Sequence, residues 1–455
     1  MNTETEIKLR VSRNTLTALR EHPLLKKRIK SGWERHELAN QYFDTPEHAL
    51  AAARVALRIR KDGEQYIQTL KTRGRSIAGL SQRGEWEWPL EKAKLDLKKL
   101  DEQCWPESLA ELDKKQLKPL FSTNFVREKA ELAWGRGKSK TVIEAALDLG
   151  EVKAGKLREE ICELELELRQ GEPAALLELA VELAASLALM PSDISKAEGG
   201  YRLLNPDSFG LRGDSPQLDA EQPLDDAFAL LASHLLGNSQ RLAEQYRFSG
   251  HWRLLVDWLA QLTDLRALLG SLGQAAPRAS SRELRQTLDA LLQDWRPRVL
   301  AGAEDEQVRQ DAPAAFAEEL NGTRWGLFSL QTAAWLHGRH WTLERNKRGA
   351  RQGAAALGNW LLHLLAEEAR GLQLERYQQQ PEDLAEQLPR IERLLAWLRL
   401  ARAVLLTLPE SDRLYGELRK LHELALLPID EATLNARISQ AHSVWTLKAW
   451  KTLSR

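Results

Sequence analysis

Glu4-Thr5-Glu6-Ile7-Lys8-Leu9 alternates polar with mostly apolar residues, and the reading of the first half of the chain turns on that alternation. Side chains at i and i+2 of a strand share a face. Glu4, Glu6 and Lys8 therefore stand on one side, and Thr5, Ile7 and Leu9 on the other. The same period returns in Leu57-Arg58-Ile59-Arg60, in Arg83-Gly84-Glu85-Trp86-Glu87-Trp88 and in Cys162-Glu163-Leu164-Glu165-Leu166-Glu167-Leu168. Strict alternation predicts strands with two chemically distinct faces. Turn signals at Asp62-Gly63, Arg73-Gly74 and Ala154-Gly155 separate them. Two helices interrupt the pattern: one over residues 12–21 with Ser12 as N-cap, and one over 173–189, stopped by Pro191.

The polar faces are segregated by charge type. Arg58 and Arg60 form a cationic pair, and Thr69 shares a face with Lys71. Arg83, Glu85 and Glu87 follow, then Phe125, Arg127 and Lys129. Glu144 and Asp148 bracket Ala146, and Glu163, Glu165 and Glu167 close the series. Any one of these strands read alone is a solvated face, because antiparallel sheets commonly wet one side. Several together point to a shared enclosure, since like charges at i and i+2 gain nothing from each other on a solvent face. Guanidinium and ammonium groups in one lumen suit a ligand with several close negative charges. Carboxylates in that lumen would repel it unless divalent cations lay between, and hard oxygen ligands suit Mg²⁺ or Mn²⁺. Cations, carboxylates and metal together suggest metal-assisted phosphoryl transfer.

The chain changes character near residue 205. Asn-Pro, Phe-Gly, Arg-Gly-Asp and Ser-Pro in residues 205–222 have linker composition. Beyond them apolar residues recur at helical spacing, as in Phe228, Leu231, Leu235 and Leu236, or Leu357, Leu361, Leu364 and Leu365. The expected architecture is α+β: a strand-rich domain over 1–204, a linker over 205–222 and an all-α helical bundle over 223–455. The 455 residues hold 65 Lys and Arg against 65 Asp and Glu. A formal charge of zero supplies no general attraction to nucleic acid or to an anionic membrane, so neither is an expected partner. Two cysteines, Cys104 and Cys162, cannot build a disulfide framework and fit a reducing compartment. The first residues carry carboxylates where a signal peptide has a basic segment, and no run approaches the ~18 apolar residues of a membrane span. A cytoplasmic protein is expected.

Glu4-Thr5-Glu6-Ile7-Lys8 resembles the Glu-x-Glu-x-Lys signature of the CYTH family, the triphosphate tunnel metalloenzymes. Further landmarks come in family order: Tyr42-Phe43-Asp44-Thr45, Arg58-Ile59-Arg60, Thr69-Leu70-Lys71, Arg83, Arg127, Asp148, Glu163-Leu164-Glu165 and Ser195-Lys196. The likeness covers roughly residues 1–205. Leu120-Phe121-Ser122-Thr123, Asp148 to Gly155 and Ile161 to Leu168 are similar to the bacterial two-domain branch, the CYTH–CHAD inorganic triphosphatases. The resemblance implies an eight-stranded antiparallel β-tunnel followed by a CHAD helical domain. It implies metal ligation by Glu4, Glu6, Asp148, Glu163 and Glu165, with two divalent ions, Mg²⁺ or Mn²⁺. It implies a phosphate grip by Lys8, Arg58, Arg60, Lys71, Arg83, Arg127 and Lys196, with Glu4, Glu6, Lys8 and Asp148 serving catalysis. The implied partner is inorganic triphosphate, hydrolysed to pyrophosphate and phosphate. Polyphosphate at the helical domain is a further expectation, with Arg278, Arg282 and Arg285 as a basic stripe or simply a solvated helix face.

The motifs do not separate inorganic triphosphate from nucleoside or thiamine triphosphate, nor hydrolysis from nucleotide cyclisation. Non-catalytic polyphosphate binding is a third reading, although it would tolerate loss of the carboxylates that this chain keeps. Whether Tyr42 faces inward stays open. Cys162, opposite Glu163, reads as packing, and Cys104 as part of a polar loop. Trp86 and Trp88 read as outer packing, and Trp335, Trp341, Trp360 and Trp397 as helix core. His22, His36 and His48 lack metal-ligand spacing and read as surface residues.

Overall fold

The alternating segments fold into strands. The computed structural model describes residues 3–77, 79–135, 140–206 and 215–454, so residues 207–214 of the expected linker lie outside the described residues. The strands are β1 (Thr3–Arg10), β2 (Glu34–Asp44), β3 (Ala56–Asp62), β4 (Gln65–Lys71), β5 (Arg75–Ile77), β6 (Leu80–Leu90), β7 (Lys118–Trp134), β8 (Thr141–Ala154), β9 (Leu157–Gln170) and β10 (Met190–Pro191). Eight of them close into an antiparallel barrel in the order β1-β9-β8-β7-β2-β3-β4-β6, with β6 returning to β1. β1 closes the ring: Glu6–Arg10 pair with β9 on one side, while Thr3–Ile7 pair with β6 on the other. Past Ile7 that second side is taken by β10. Closure leaves the barrel without a long free edge.

The chain divides into two compact units. The first comprises Met1–Arg212, Gln240–Leu255 and Gly302–His337, and the second Gly213–Ser239, Val256–Ala301 and Gly338–Arg455. In the first unit, the helices around the barrel are α1 (Arg13–Glu21), α2 (Pro23–Arg28), α3 (Ala49–Ala52), α4 (Ala174–Ala184) and α5 (Lys196–Leu204). Ser12 caps α1 as expected, accepting from the Thr15 amide at 3.1 Å. Ile7, Leu9, Leu164 and Leu166, on the outward faces of β1 and β9, are fully buried. α4 packs on both strands. The expected helix over 173–189 stops at Ala184, because Met190 and Pro191 go instead to the open side of β1.

Two packing features position the site. α5 lies on β7, β8 and β9 and carries Lys196 at its first turn. Its Gly200 faces the Phe121 ring so closely that an added Cβ would stand 2.2 Å from Phe121 Cδ2. Phe121 in turn stacks on Tyr42, with centroids 4.9 Å apart. The Asp44 carboxylate, also buried, accepts from the amides of Thr45 (2.7 Å), Leu50 (2.8 Å) and Ala51 (3.0 Å) and from the Tyr201 hydroxyl (2.6 Å). It ties the end of β2 to α3 and α5, which accounts for the Phe43-Asp44-Thr45 motif in structural terms. On the outside of β3, β4 and β6, Trp86 and Trp88 pack against a cluster of Leu50, Leu57, Leu70 and Trp105. Cys104 lies in a turn, in line with the loop-like stretch expected, yet joins that cluster and is buried.

The remaining helices are α6 (Leu224–Ser249), α7 (Trp252–Ser271), α8 (Arg282–Glu304), α9 (Glu306–Asn321), α10 (Arg324–His337), α11 (Lys347–Gly353), α12 (Leu357–Leu372), α13 (Leu388–Leu400), α14 (Ser411–Leu426), α15 (Glu431–Thr446) and α16 (Lys448–Ser454). The part of α6 from Gln240 belongs to the first unit, as do α9 and α10. There α10 packs on α4 and β10. Arg241 pairs with Asp193 (3.1 Å) and Glu198 (2.5 Å), and Glu244 pairs with Arg10 (2.9 Å). The second unit has a tryptophan-rich core in which Trp258 and Trp295 meet edge to face at 5.8 Å and Trp360 and Trp397 at 5.1 Å. Arg278 lies before the start of α8, so the three arginines do not form one helical stripe. No helix among the described residues is long and apolar enough to cross a membrane. Replacing Gly200 by alanine forces a methyl into the Phe121 ring, and denaturant melts should show a loss of about 1–3 kcal/mol, typical of overpacking.

Candidate functional site

The barrel register brings the charged faces together. Lys8 stands opposite Glu165 and Glu6 opposite Glu167 across β1 and β9, and Glu4 opposite Arg83 across β1 and β6. Asp148 is flanked by Arg127 on β7 and Glu163 on β9. Arg58 lies opposite Tyr42 on one side and Thr69 on the other. These inward faces enclose a cavity of ≈ 280 Å³, lined on every side by ionisable groups.

Three carboxylates converge inside the barrel, Glu165 lining the cavity and Asp148 and Glu163 buried beside it. Ligand oxygens of Asp148, Glu163 and Glu165 all lie within 4.8 Å of one another. Lys196 Nζ donates into the middle of them, 2.7 Å from Asp148, 3.1 Å from Glu163 and 2.8 Å from Glu165. Arg127 makes a two-pronged contact with Asp148, both bonds at 2.7 Å, and also reaches Glu165. Lys8 adds longer contacts of 3.5 Å to Glu165 and 3.9 Å to Glu163. Burial alone would raise the Asp148 and Glu165 carboxyls, but the neighbouring cations outweigh it and hold both below the ordinary carboxylate range. The same three acids overcome burial at Lys196 and hold its ammonium far above its ordinary value. Three convergent, hard carboxylate donors in a largely dry site fit a divalent cation such as Mg²⁺ or Mn²⁺.

Glu4 and Glu6 are not part of that trio. Lys71 Nζ donates to both Glu4 oxygens at 2.8 Å, and Arg83 bridges Glu4, at 3.0 Å, and Glu6. Burial opposes ionisation of Glu4, but Lys71 and Arg83 prevail and lower it. Glu85, 3.1 Å from Lys71, goes the other way: burial raises it, and the Glu4 charge adds to that. Burial with Glu4 and Glu144 nearby likewise raises Glu167 to about 7, against the pull of Arg169.

Among the described residues, Arg58 and Arg60 have no carboxylate within hydrogen-bond distance. Arg58 is buried, and its nearest carboxylate among the described residues is Glu85 at 3.9 Å. Its neighbour is the Tyr42 hydroxyl, which burial would raise but which the Arg58 charge lowers. Arg60 donates through Nε to the neutral Asn40 side chain at 3.0 Å. Burial, with Arg58 and Arg127 alongside, brings Arg60 down to about 10, still a cation at neutral pH.

Tyr42 therefore faces inward, the point its sequence left open. His36, expected at the surface, lines the cavity instead and lies 3.1 Å from Asp62. Its strand alternates His36, Leu38, Asn40 and Tyr42 inward, a mixed face with no charge pattern to flag it. Glu144 and Glu167 line the cavity near Arg169. The cavity, the carboxylate trio and the loosely matched arginines all lie within one segment of the chain. Residues 2–201 match the family model of the CYTH domain. A curated relative, an inorganic triphosphatase of Haemophilus influenzae, is 33% identical over 166 residues, covering 36% of this chain and 46% of that protein. The matched stretch thus spans about half the length of that relative. Among solved structures, a Hippeastrum protein described as revealing a dominant triphosphatase activity aligns at 22% identity with a TM-score of 0.31, over 46% of this chain and all of that one. The PH1012 protein of Pyrococcus horikoshii aligns at 17% with a TM-score of 0.25, over 40% of this chain and 88% of that one.

The trio yields a stability prediction for the metal-free protein. Asp148 and Glu165 are depressed in the folded state, so they stabilise it above their unfolded pKa of about 4 and lose that contribution as pH falls below it. Lys196→Met removes the ammonium that three carboxylates share. At pH 7 in EDTA the variant should be less stable by about 3–5 kcal/mol. The gap should narrow on acidification toward pH 3, and millimolar Mg²⁺ should restore the melting temperature of the variant more than that of the parent. A gap constant with pH and unmoved by Mg²⁺ would contradict this account of the trio.

Proposed function

We propose that this chain hydrolyses inorganic triphosphate to pyrophosphate and phosphate inside the CYTH barrel. The observation that carries the proposal is the pair Arg58 and Arg60. A buried guanidinium without a carboxylate partner is unfavourable unless an anion arrives to meet it. Arg58, buried, and Arg60, half-buried, share one face of β3; the nearest carboxylate to Arg58 stands 3.9 Å away, and Arg60 donates to an amide. An elongated polyanion answers that need, and guanidinium forks match phosphate oxygens.

Arg58 and Arg60 hold one stretch of the substrate, with Lys8, Lys71, Arg83, Arg127 and Lys196 supplying positive charge along the rest. Asp148 fixes the Arg127 fork by a two-pronged bond and so aims it before substrate arrives. The closed barrel limits access of bulk water, which strengthens each of these contacts. Asp148, Glu163 and Glu165 would hold the divalent ion, with Glu4 and Glu6 available on the neighbouring strand. That ion supplies charge neutralisation on the phosphate oxygens and lowers the pKa of bound water.

The lining favours a bare phosphate chain over an organic triphosphate. Recognition of a base or thiazole ring calls for an aromatic platform. The rings in the lining are Tyr42, already stacked on Phe121 at an interplanar angle of 20°, and His36, held 3.1 Å from Asp62. The apolar side chains Leu38, Ala56 and Ile67 offer little flat surface.

Phosphate release from tripolyphosphate, ATP and thiamine triphosphate, each with Mg²⁺, Mn²⁺ or EDTA, tests this reading. Tripolyphosphate should turn over with the highest kcat/KM, and EDTA should abolish it. Arg58→Met and Glu165→Gln should each lower kcat/KM on the order of 100-fold. Faster turnover of an organic triphosphate would reassign the substrate. Tight binding of tripolyphosphate without phosphate release under any metal would make the chain a binding protein.

A further inference from the structure

We infer that Asn40 is a positioning residue that aims Arg60 at the substrate while leaving its charge unneutralised. The inference rests on the reading of the cavity as a polyphosphate site and concerns one side chain that the sequence patterns did not single out.

Asn40 is 2% exposed, on the inward face of β2 between β7 and β3. Its Nδ2 donates to the Thr123 carbonyl of β7 at 3.0 Å, and its Oδ1 accepts from Arg60 Nε on β3 at 3.0 Å. The orientation of the amide has one consistent solution. A backbone carbonyl can only accept and a guanidinium can only donate, so Nδ2 must face Thr123 and Oδ1 must face Arg60. The side chain is thus anchored to the β7 backbone and presents a fixed acceptor to the arginine. With Nε held, the two terminal amino groups of the guanidinium are left for a ligand.

The chemical choice at this position is informative. Arg60 is crowded by Arg58 and Arg127, and burial with those charges brings it down to about 10. A structural role would be served best by an aspartate here, which has nearly the same shape and would neutralise the guanidinium. Other inward cations of the barrel have such partners: Arg83 has Glu4 and Glu6, Arg127 has Asp148, and Lys196 has the trio. At Arg60 the partner is neutral. Orientation is provided and charge compensation is withheld, the arrangement a preorganised anion site requires.

The test measures tripolyphosphate binding by calorimetry at pH 7 in EDTA, on the full chain, for the parent, N40D, N40A, R60M and N40A/R60M. N40D keeps the side-chain volume and turns a ligand-seeking cation into an internal ion pair. Its affinity should fall about tenfold or more, the effect of withdrawing one charge-assisted contact, with the melting temperature equal to or above the parent value. In turnover assays with Mg²⁺, N40A should raise KM rather than lower kcat, and by calorimetry in the R60M background it should change affinity by less than about twofold. A ligand-independent readout accompanies these. The Arg60 Nε–H resonance should exchange slowly in the parent and rapidly in N40A. Undiminished binding by N40D, or an equal loss from N40A with and without Arg60, would overturn the assignment of Asn40. A protected Nε–H together with no tripolyphosphate binding by the parent would instead overturn the reading of the cavity. Should N40D fail to fold, the N40A cycle decides alone.

Discussion

Carboxylates and cations drawn from different strands neutralise each other inside a closed barrel, and the rest of the molecule depends on that mutual compensation. Neither set could be buried alone. Three acids whose oxygens converge within 4.8 Å repel strongly at low dielectric, and so do Arg58 and Arg60 on one face of β3. Lys196 entering from α5 and Arg127 from β7 make the acidic wall tolerable, and Lys71 and Arg83 do the same for Glu4 and Glu6. The pairing is possible because barrel closure fixes the register on both sides of β1 at once. A shift by one residue would turn every one of these side chains outward and bring Ile7 and Leu9 into the cavity.

Compensation is incomplete, and where it fails is informative. The acids of β1, β8 and β9 are matched. The cations of β3 are matched more loosely: Glu85 stands 3.9 Å from Arg58, beside the Tyr42 hydroxyl, and Arg60 meets an amide. The cavity is therefore uneven, with one side bearing tightly paired oxygen donors and another, on β3, whose arginines lack close counterions. A phosphate chain lying between them meets positive charge directly on one side and, on the other, acids that a divalent ion can turn attractive.

Much of this was legible in the sequence because a strand repeats every two residues and its charges do not drift. Glu4, Glu6, Lys8, Arg58, Arg60 and the acids of β9 all announce themselves by alternation. Lys196 does not: it reaches the cavity from a helix end and was accessible only through the resemblance of Ser195-Lys196 to a known pattern. The helix it starts, Lys-Ala-Glu-Gly-Gly-Tyr-Arg-Leu-Leu, holds two adjacent glycines that argue locally against a helix. One of them, Gly200, is there because Phe121 leaves no room for a methyl. β2 was missed for another reason. Its inward face mixes His36, Leu38, Asn40 and Tyr42, so neither hydrophobicity nor charge alternates cleanly. Cys104 sits in a polar stretch yet is buried, because Trp105 and Leu109 fold that stretch onto the outside of the barrel.

The composition of the chain marks a change near residue 205, but composition cannot say which later segments return to the strand-rich unit. α10 covers α4, and the pairs made by Arg241 and Glu244 brace β1 and α5. During synthesis the ribosome delivers all ten strands long before it delivers α10. The nascent barrel must therefore wait with the outer leucines of α4 uncovered and with Arg10 lacking one of its counterions. Such an interval is when an emerging chain is most prone to stick to its neighbours.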